Sequence, residues 1–415
     1  MNVAYVTSAF PASSETFAGT DIRALRSHGA DVTVYTLKPE QPNARALQEQ
    51  WKMTDVPVRH LTASRVASGL AYALQHPGLA ALAVWTTVRD NWRTPRHLAK
   101  GLAILPSAFA VLRQLAEDEP DVVHIFWGHF PAIVGVLARR ALPGAVVTTF
   151  LGAYDLHERY RTSVTLANLA DGMFTHVHAN VPTIVSLGVD EEKVRAIPRG
   201  VDLGRFQLGN GAKIPQRIAA VGRMVEDKGF QNVVEAFARV RAKWPEATLH
   251  LIGDGAYRAE LERMVQERGI GGVTFRGFLP HPEVFAALEK AEVFMLLSPS
   301  ERLPNAVKEA MAAGCVCVVS DTPGIEELVR PGVDGFVVQD TDWDGAAEAI
   351  ERTFADPALR ARMSENARAH IDEAYSSVRN MGLYHRLWQR MLDAKRAGAP
   401  TPALAKRLDP PQLAA

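Results

Sequence analysis

The chain has 415 residues, 47% hydrophobic and 22% charged, a balance that lets a folded protein offset the entropy of ordering its backbone and that excludes global disorder. One hydrophobic core rarely serves this length, so two domains are expected. Forty-six lysines and arginines match 46 aspartates and glutamates, so no long-range field favours nucleic acid and any anion site has to be built locally.

The opening "MNVAYVTSAFP" lacks the charged start and long apolar run of a signal peptide, so the expected location is the cytoplasm. Apolar, β-branched runs at 3–6, 32–36, 122–125 and 146–150 read as buried strands, with shorter ones at 173–177 and 194–197. Residues 66–88 are largely apolar, but Gln75, His76 and Pro77 interrupt them. This predicts two amphipathic helices breaking at Pro77, forming core or cleft wall rather than a membrane span. The second reading is a weak peripheral contact with the inner face of the cell membrane, which matters if the acceptor is lipid-linked.

Glycine, proline and asparagine then crowd "PRGVDLGRFQLGNGAKIP", a stretch without periodicity that reads as a linker. A second strand series follows at 218–221, 248–252, 273–276, 293–297, 315–320 and 335–338. The predicted division is 1–205 and 206–375. Two βα series imply two doubly wound, Rossmann-like parallel-sheet domains of α/β class, facing across a cleft that receives ligands beyond the carboxyl ends of the strands. The chain is helical from 359 onward, and the aromatic spacing over 376–396 predicts a last helix that crosses back to the first domain. Residues 397–415 contain four prolines and few large apolar groups, and read as a mobile tail.

Chemistry concentrates in the second series. In "AAVGRMVEDKGF" Gly222 lets the backbone turn, while Arg223 and Lys228 sit at the sheet edge beside a helix start near 228–230. Two cations and a helix N-terminus suit a diphosphate, although exposed cations are common and a solvated loop is the plainer alternative. In "LSPSERLPNAVKEAMAAG" a strand ends, a polar loop carries Glu301, and a helix starts with Asn305 as candidate cap and Glu309 one turn in. Two carboxylates so spaced suit the neighbouring hydroxyls of a polyol such as a ribose plus a sugar. Cys315 and Cys317, the only cysteines, alternate in an apolar run and read as reduced core residues.

Taken together and in order, "VGRMVEDKGF", "ERLPNAVKEAMAAG" and "SDTPGIEELV" resemble the retaining GT-B glycosyltransferases of family 4. The resemblance is strong over 218–338 and weaker over the first half. It implies that Arg223 and Lys228 hold the departing diphosphate, that Glu309 binds the ribose and that Glu301 contacts the transferred sugar. It also implies that the backbone at Leu303, Pro304, Asn305 and Ala306 lines sugar and phosphate, that Gly277 and Phe278 flank the base, and that Gly253 permits close approach. The early segment "FPASSETFAGTDIRALRSHGADVTVYTLKP" is similar to the exopolysaccharide-building branch, which places Glu15 and Thr16 at the cleft; helix capping by Ser13 or Ser14 is the alternative. One departure stands out. Where many members read "TFHG", this chain reads "TTFLGAYD", so Leu151 or Gly152 occupies the histidine position, Asp155 is retained, and His129 or His157 is a candidate to approach from elsewhere, with a packing or hydrogen-bonding role as the plainer alternative.

The resulting expectation is a sugar transferase using a UDP- or GDP-sugar donor, no cofactor and no metal, acting on a sugar, oligosaccharide or lipid-linked acceptor. The missing histidine motivates a non-catalytic nucleotide-sugar sensor or scaffold as the alternative, with a GT-B epimerase third. "DTDWD" at 340–344 imitates a metal-binding aspartate pair but precedes a helical run, where aspartates stabilise the N-terminus. "GDGAYR" supplies only half of a dinucleotide-binding glycine pattern.

Overall fold

The computed structural model of the chain describes residues 1–12, 16–202, 204 and 212–404. They form two compact units: Met1–Arg199 joined by the chain from Ser377 onward, and Gly200–Ser376. The division therefore falls at Arg199/Gly200, at the start of the glycine-rich stretch, rather than at 205/206.

Unit 1 is built on seven strands, β1 (Asn2–Thr7), β2 (Asp31–Thr36), β3 (Val58–Arg59), β4 (Val122–Phe126), β5 (Val146–Phe150), β6 (Gly172–Thr175) and β7 (Val194–Ala196). They are parallel, in the order β3-β2-β1-β4-β5-β6-β7. Every residue of β4 and β5 is buried, as strands covered on both faces require, which is why they read as unbroken apolar runs. The two-residue β3 was too short for any periodicity to reveal.

Among the described residues, the helices along the first part of the chain are α1 (Thr16–Ser27), α2 (Ala44–Gln50), α3 (Ala63–Gln75), α4 (Pro77–Asn91), α5 (Pro95–Asp118), α6 (Ala132–Ala141), α7 (Ala153–Glu158), α8 (Arg161–Leu169) and α9 (Val181–Ser186). The Thr62 hydroxyl caps α3 by accepting from the Arg65 N–H at 3.3 Å, and Pro77 opens α4, where its missing N–H costs nothing. α5 is long and apolar enough to cross a membrane by length and composition, yet it packs against α3, α4 and α6. Leu105, Phe109, Leu112 and Leu115 bury its inner face.

Unit 2 has β8 (Arg217–Val221), β9 (Thr248–Ile252), β10 (Val273–Gly277), β11 (Val293–Leu296), β12 (Val316–Ser320) and β13 (Gly335–Val338), in the order β10-β9-β8-β11-β12-β13. Its helices are α10 (Phe230–Lys243), α11 (Arg258–Glu267), α12 (His281–Glu289), α13 (Asn305–Ala312), α14 (Trp343–Ala355) and α15 (Pro357–Ala374). Asp342 caps α14 by accepting the Gly345 N–H at 3.0 Å, so "DTDWD" is a helix start. Cys315 and Cys317 are both buried and unbridged.

The last helix, α16 (Ser377–Arg396), packs against α1 in unit 1 and buries Trp388 completely. The chain beyond it is not loose as far as it is described. Leu404 is buried in the same core and its N–H donates to the Glu192 carbonyl at 3.1 Å, while the Thr401 hydroxyl donates to Asp171 at 3.1 Å. The expectation of mobility from 397 is thus wrong up to 404, because one leucine supplies the apolar anchor that the proline content obscured.

Candidate active site

In an open parallel sheet, ligands bind where the strand order reverses, since the loops there part to opposite faces. Unit 2 reverses between β8 and β11, and unit 1 between β1 and β4. The loops leaving these four strands are therefore the ones to inspect.

Beyond β8, the hydrogen-bond ladder continues through glycines. The Gly222 N–H donates to the Ile252 carbonyl at 3.0 Å, and the Gly253 N–H to that of Gly277 at 2.8 Å. Gly253 has φ +130°, and a Cβ there would lie 1.9 Å from the Gly222 oxygen, so no other residue allows this approach. Arg223 follows, exposed. Lys228 lies in a 3-10 turn (Glu226–Lys228) ahead of α10 rather than at the helix start itself.

That turn is pressed onto the loop after β11. Gly229 (φ +66°) would place a Cβ 1.9 Å from the Leu297 oxygen. The Asn232 side-chain amide donates to the same oxygen at 3.1 Å, and the Ser298 hydroxyl donates to the Asp227 carbonyl at 2.8 Å. The result is a 2.5 Å charge-assisted bond from Lys228 Nζ to Glu301 Oε1. Leu303 is buried with φ +48°, a conformation a branched side chain adopts only when its surroundings impose it.

Pro304, not Asn305, takes the cap position of α13, with extended backbone and no side-chain cap. Asn305 is instead the first helical residue, exposed, and its Oδ1 accepts from the buried Lys308 at 3.2 Å. The cap expectation fails because proline's fixed φ already sets the entry to the helix. Ala306 is partly exposed beside it. Glu309, one turn on, has Oε1 3.0 Å from His281 Nε2, which ties α13 to the start of α12 and the loop after β10. On that loop Phe278 is 79% exposed. The structure thus gathers Lys228 with Glu301, and Glu309 with His281, on neighbouring loops of one sheet edge.

In unit 1, Ser8 leaves β1 and the 127–129 turn leaves β4. Ser8 Oγ is 3.4 Å from His129 Nε2, and His129 Nδ1 is 3.1 Å from Asp155 Oδ1. The other oxygen of the buried Asp155 accepts the Gly152 N–H at 2.9 Å. With Asp155 Oδ1 as the acceptor, Nδ1 carries the proton, and Nε2 of the neutral ring accepts from Ser8. A Cβ on Gly128 would lie 2.0 Å from Leu151, and one on Gly152 2.4 Å from the Trp127 ring. The loop after β4 therefore lies directly on Leu151 and Gly152, and brings His129 to the segment where family members carry their histidine. His157 is exposed on α7. Thr16 opens α1, and Glu15 lies outside the described residues.

Beneath this edge sits a group that sequence reasoning missed. The Arg199 guanidinium lies 4.5, 4.2 and 4.4 Å from the rings of Phe17, Phe126 and Phe150, and donates to Asp21 at 2.8 Å. Burial and this cation push the His124 imidazole down to about 3. Ser8 and His281 were also missed. Ser8 follows the last residue of β1 and His281 lies three residues beyond Phe278, so the carboxyl-edge rule applied residue by residue would have reached them.

Two family profiles match the chain: Glycosyltransferase Family 4 over residues 14–205 and Glycosyl transferases group 1 over 210–370. The lipopolysaccharide core biosynthesis glycosyltransferase LpsE of Rhizobium meliloti is 30% identical over 252 residues, 57% of this chain and 72% of the relative. This chain belongs to the family 4 glycosyltransferases. The putative colanic acid biosynthesis glycosyltransferase WcaL of Salmonella typhimurium is 27% identical across 91% of this chain and 93% of its own. Among solved structures, Anabaena HepE in complex with UDP superposes with TM-score 0.71 at 19% identity, covering 94% of this chain and 99% of that one. The glycosyltransferase thus has the GT-B fold.

Proposed function

We propose that this glycosyltransferase moves a sugar from a UDP- or GDP-sugar to a hydroxyl acceptor in polysaccharide or glycoconjugate assembly, on the cytoplasmic side, with retention and without a metal. The observation that carries the reading is the Lys228–Glu301 bond at the reversal point of unit 2, since it sets a cation and a sugar-binding carboxylate side by side. Arg223 and Lys228 supply counter-charge to the diphosphate, and the N-terminus of α13, free of any side-chain cap, adds backbone N–H groups. Glu309 accepts the ribose hydroxyls and Glu301 a sugar hydroxyl, Gly222, Gly253 and Gly277 give the backbone room, and Phe278 meets the base.

Bond cleavage leaves negative charge on the diphosphate, and the two cations stabilise it as it develops. The acceptor hydroxyl attacks from the face the diphosphate leaves and gives its proton to a departing phosphate oxygen. His129, held by Asp155, hydrogen-bonds a substrate hydroxyl in place of the absent family histidine. Support for the donor class comes from HepE, solved with UDP and with UDP-glucose, and from a GDP-mannose-dependent mannosyltransferase of Mycolicibacterium smegmatis, 27% identical over 299 residues. Support for the acceptor class comes from LpsE, WcaL and the amylovoran biosynthesis enzyme AmsK of Erwinia amylovora.

The test is nucleotide release from UDP-, GDP- and ADP-sugars by the native protein, Lys228→Ala and Glu309→Gln, followed by NMR of the product anomer. Release from one donor, abolished in both variants with melting unchanged, and an anomer matching the donor are expected. Binding of a donor without release, with every acceptor tried, reassigns the protein as a sensor, and absence of nucleotide binding ends the proposal.

A further inference from the structure

The outer faces of α3 and α4 have no use in the transfer reading. Along α4 and its C-cap, the exposed apolar side chains Ala81, Val84, Trp85, Val88 and Trp92 are spaced as one helical stripe. Trp85 and Trp92 are 63% and 61% exposed. On α3 the outward stripe is Ala67, Leu70, Ala71 and Leu74, the last 84% exposed. Folding gains nothing from aromatic residues left in water, so this apolar surface is unexplained by stability.

Charge says what it fits. Between 62 and 116 the chain holds six arginines and lysines and a single acid, Asp90. That carboxylate is buried and bonded to Arg89 at 2.8 Å. Arg93 at the α4–α5 turn, its guanidinium 4.8 Å from the Trp92 ring, and the exposed Arg96 and Lys100 in the first turns of α5 are left without an acid of their own segment. Exposed tryptophans bordered by cations suit the boundary between lipid headgroups and acyl chains, where the ring is half solvated and the cations meet anionic headgroups. A second copy of the chain fits poorly, because a twofold contact through this face would set Arg93, Arg96 and Lys100 against their own copies. The stripe from Ala81 to Trp92 is about 17 Å long, enough to lie along a surface and too short to cross it.

We propose that α3, α4 and the α4–α5 turn form a docking face for an anionic lipid bilayer, with Trp85 and Trp92 as the inserted residues. The proposal rests on this surface and not on the assigned transfer chemistry. The test is flotation of the full-length protein with vesicles of phosphatidylcholine alone or mixed with phosphatidylglycerol. The native protein is expected to bind the mixed vesicles at least about tenfold better, an advantage lost at high salt where the Debye length shrinks to about 3 Å. Trp85→Ser with Trp92→Ser should cut binding about tenfold with melting unchanged, as should Leu74→Ser to a smaller degree. Arg93→Glu with Arg96→Glu should erase the preference for phosphatidylglycerol, each cation being worth roughly fivefold near such a surface. Equal binding by native and variant proteins, or no binding to either vesicle, overturns the proposal. So does a native dimer that Trp85→Ser with Trp92→Ser converts to monomer, which assigns the face to a second copy.

Discussion

The two sheets reverse strand order in the same way, yet they arm the reversal differently. At β8/β11 the polar groups sit on loops, partly exposed, and glycine geometry at Gly229 and Gly253 positions them. At β1/β4 they are held by other side chains: Asp155 is buried under His129, and Asp21 under Arg199. A polar group held by backbone can be removed with little loss of fold, whereas one held in a buried network takes part of the fold with it.

Lys228→Ala is the sharpest probe of the first kind. Its partner Glu301 is partly exposed and rehydrates when the ammonium is gone, so melting should hold. Turnover should fall about 10²–10³-fold, the usual loss when one donor to a developing oxyanion is removed. A fall in stability that matches the fall in rate would show that this edge, too, is a folded network, and the comparison would break.

Arg199→Ala probes the second kind. It leaves the Asp21 carboxylate buried without its cation and removes a guanidinium from three ring faces. The expected cost is about 3 kcal/mol in denaturant unfolding, with nucleotide affinity of the folded protein unchanged by calorimetry. Affinity lost in step with stability would mean that the two units do not keep their functions apart.

Acid should separate the units as well. His124 is neutral in the folded state, at about 3 against an ordinary 6.5, because burial and Arg199 disfavour its charged form. The unfolded chain therefore binds that proton more readily, so the stability due to this residue is complete above about 6.5 and is lost as pH falls towards about 3, by up to about 1.4 kcal/mol per pH unit. His124→Gln should flatten this part of the acid limb as followed by unfolding at successive pH values. An unchanged limb would place the acid sensitivity elsewhere.

The contrast also explains what could be read in advance. The meeting of Lys228 with Glu301 in unit 2 was legible because both come from short segments, Gly222–Gly229 and 297–309, each a strand end followed by a helix, so order and spacing carry the geometry. The long apolar strands β4 and β5 were equally plain. Unit 1's edge draws Ser8, His129, Gly152 and Asp155 from three separate loops, and Arg199 from the end of the unit, so adjacency depends on the sheet order β1-β4-β5, which local pattern does not encode. Leu151 looked like a lost histidine for the same reason. An imidazole, that of His129, lies on the neighbouring strand's loop, and only the packing of Gly128 on Leu151 reveals how close that loop comes.

Asp155→Asn tests that substitution most gently. The buried carboxylate accepts twice, from the Gly152 N–H and from His129 Nδ1. An amide keeps one acceptor, and the backbone N–H, fixed by the start of α7, is the partner it will retain. Its NH2 then faces His129, which must present an unprotonated Nδ1 and so carry its proton on Nε2, turned towards Ser8 and the substrate. The ring stays in place while its outward nitrogen changes from acceptor to donor. If His129 reads a substrate hydroxyl, kcat/KM should fall about tenfold, roughly the worth of one hydrogen bond, with little change in melting, and His129→Ala should cause no further loss in that background. If Asp155→Asn lowers stability and leaves kcat/KM unaltered, the pair holds the loop after β4 onto β5 and takes no part in recognition.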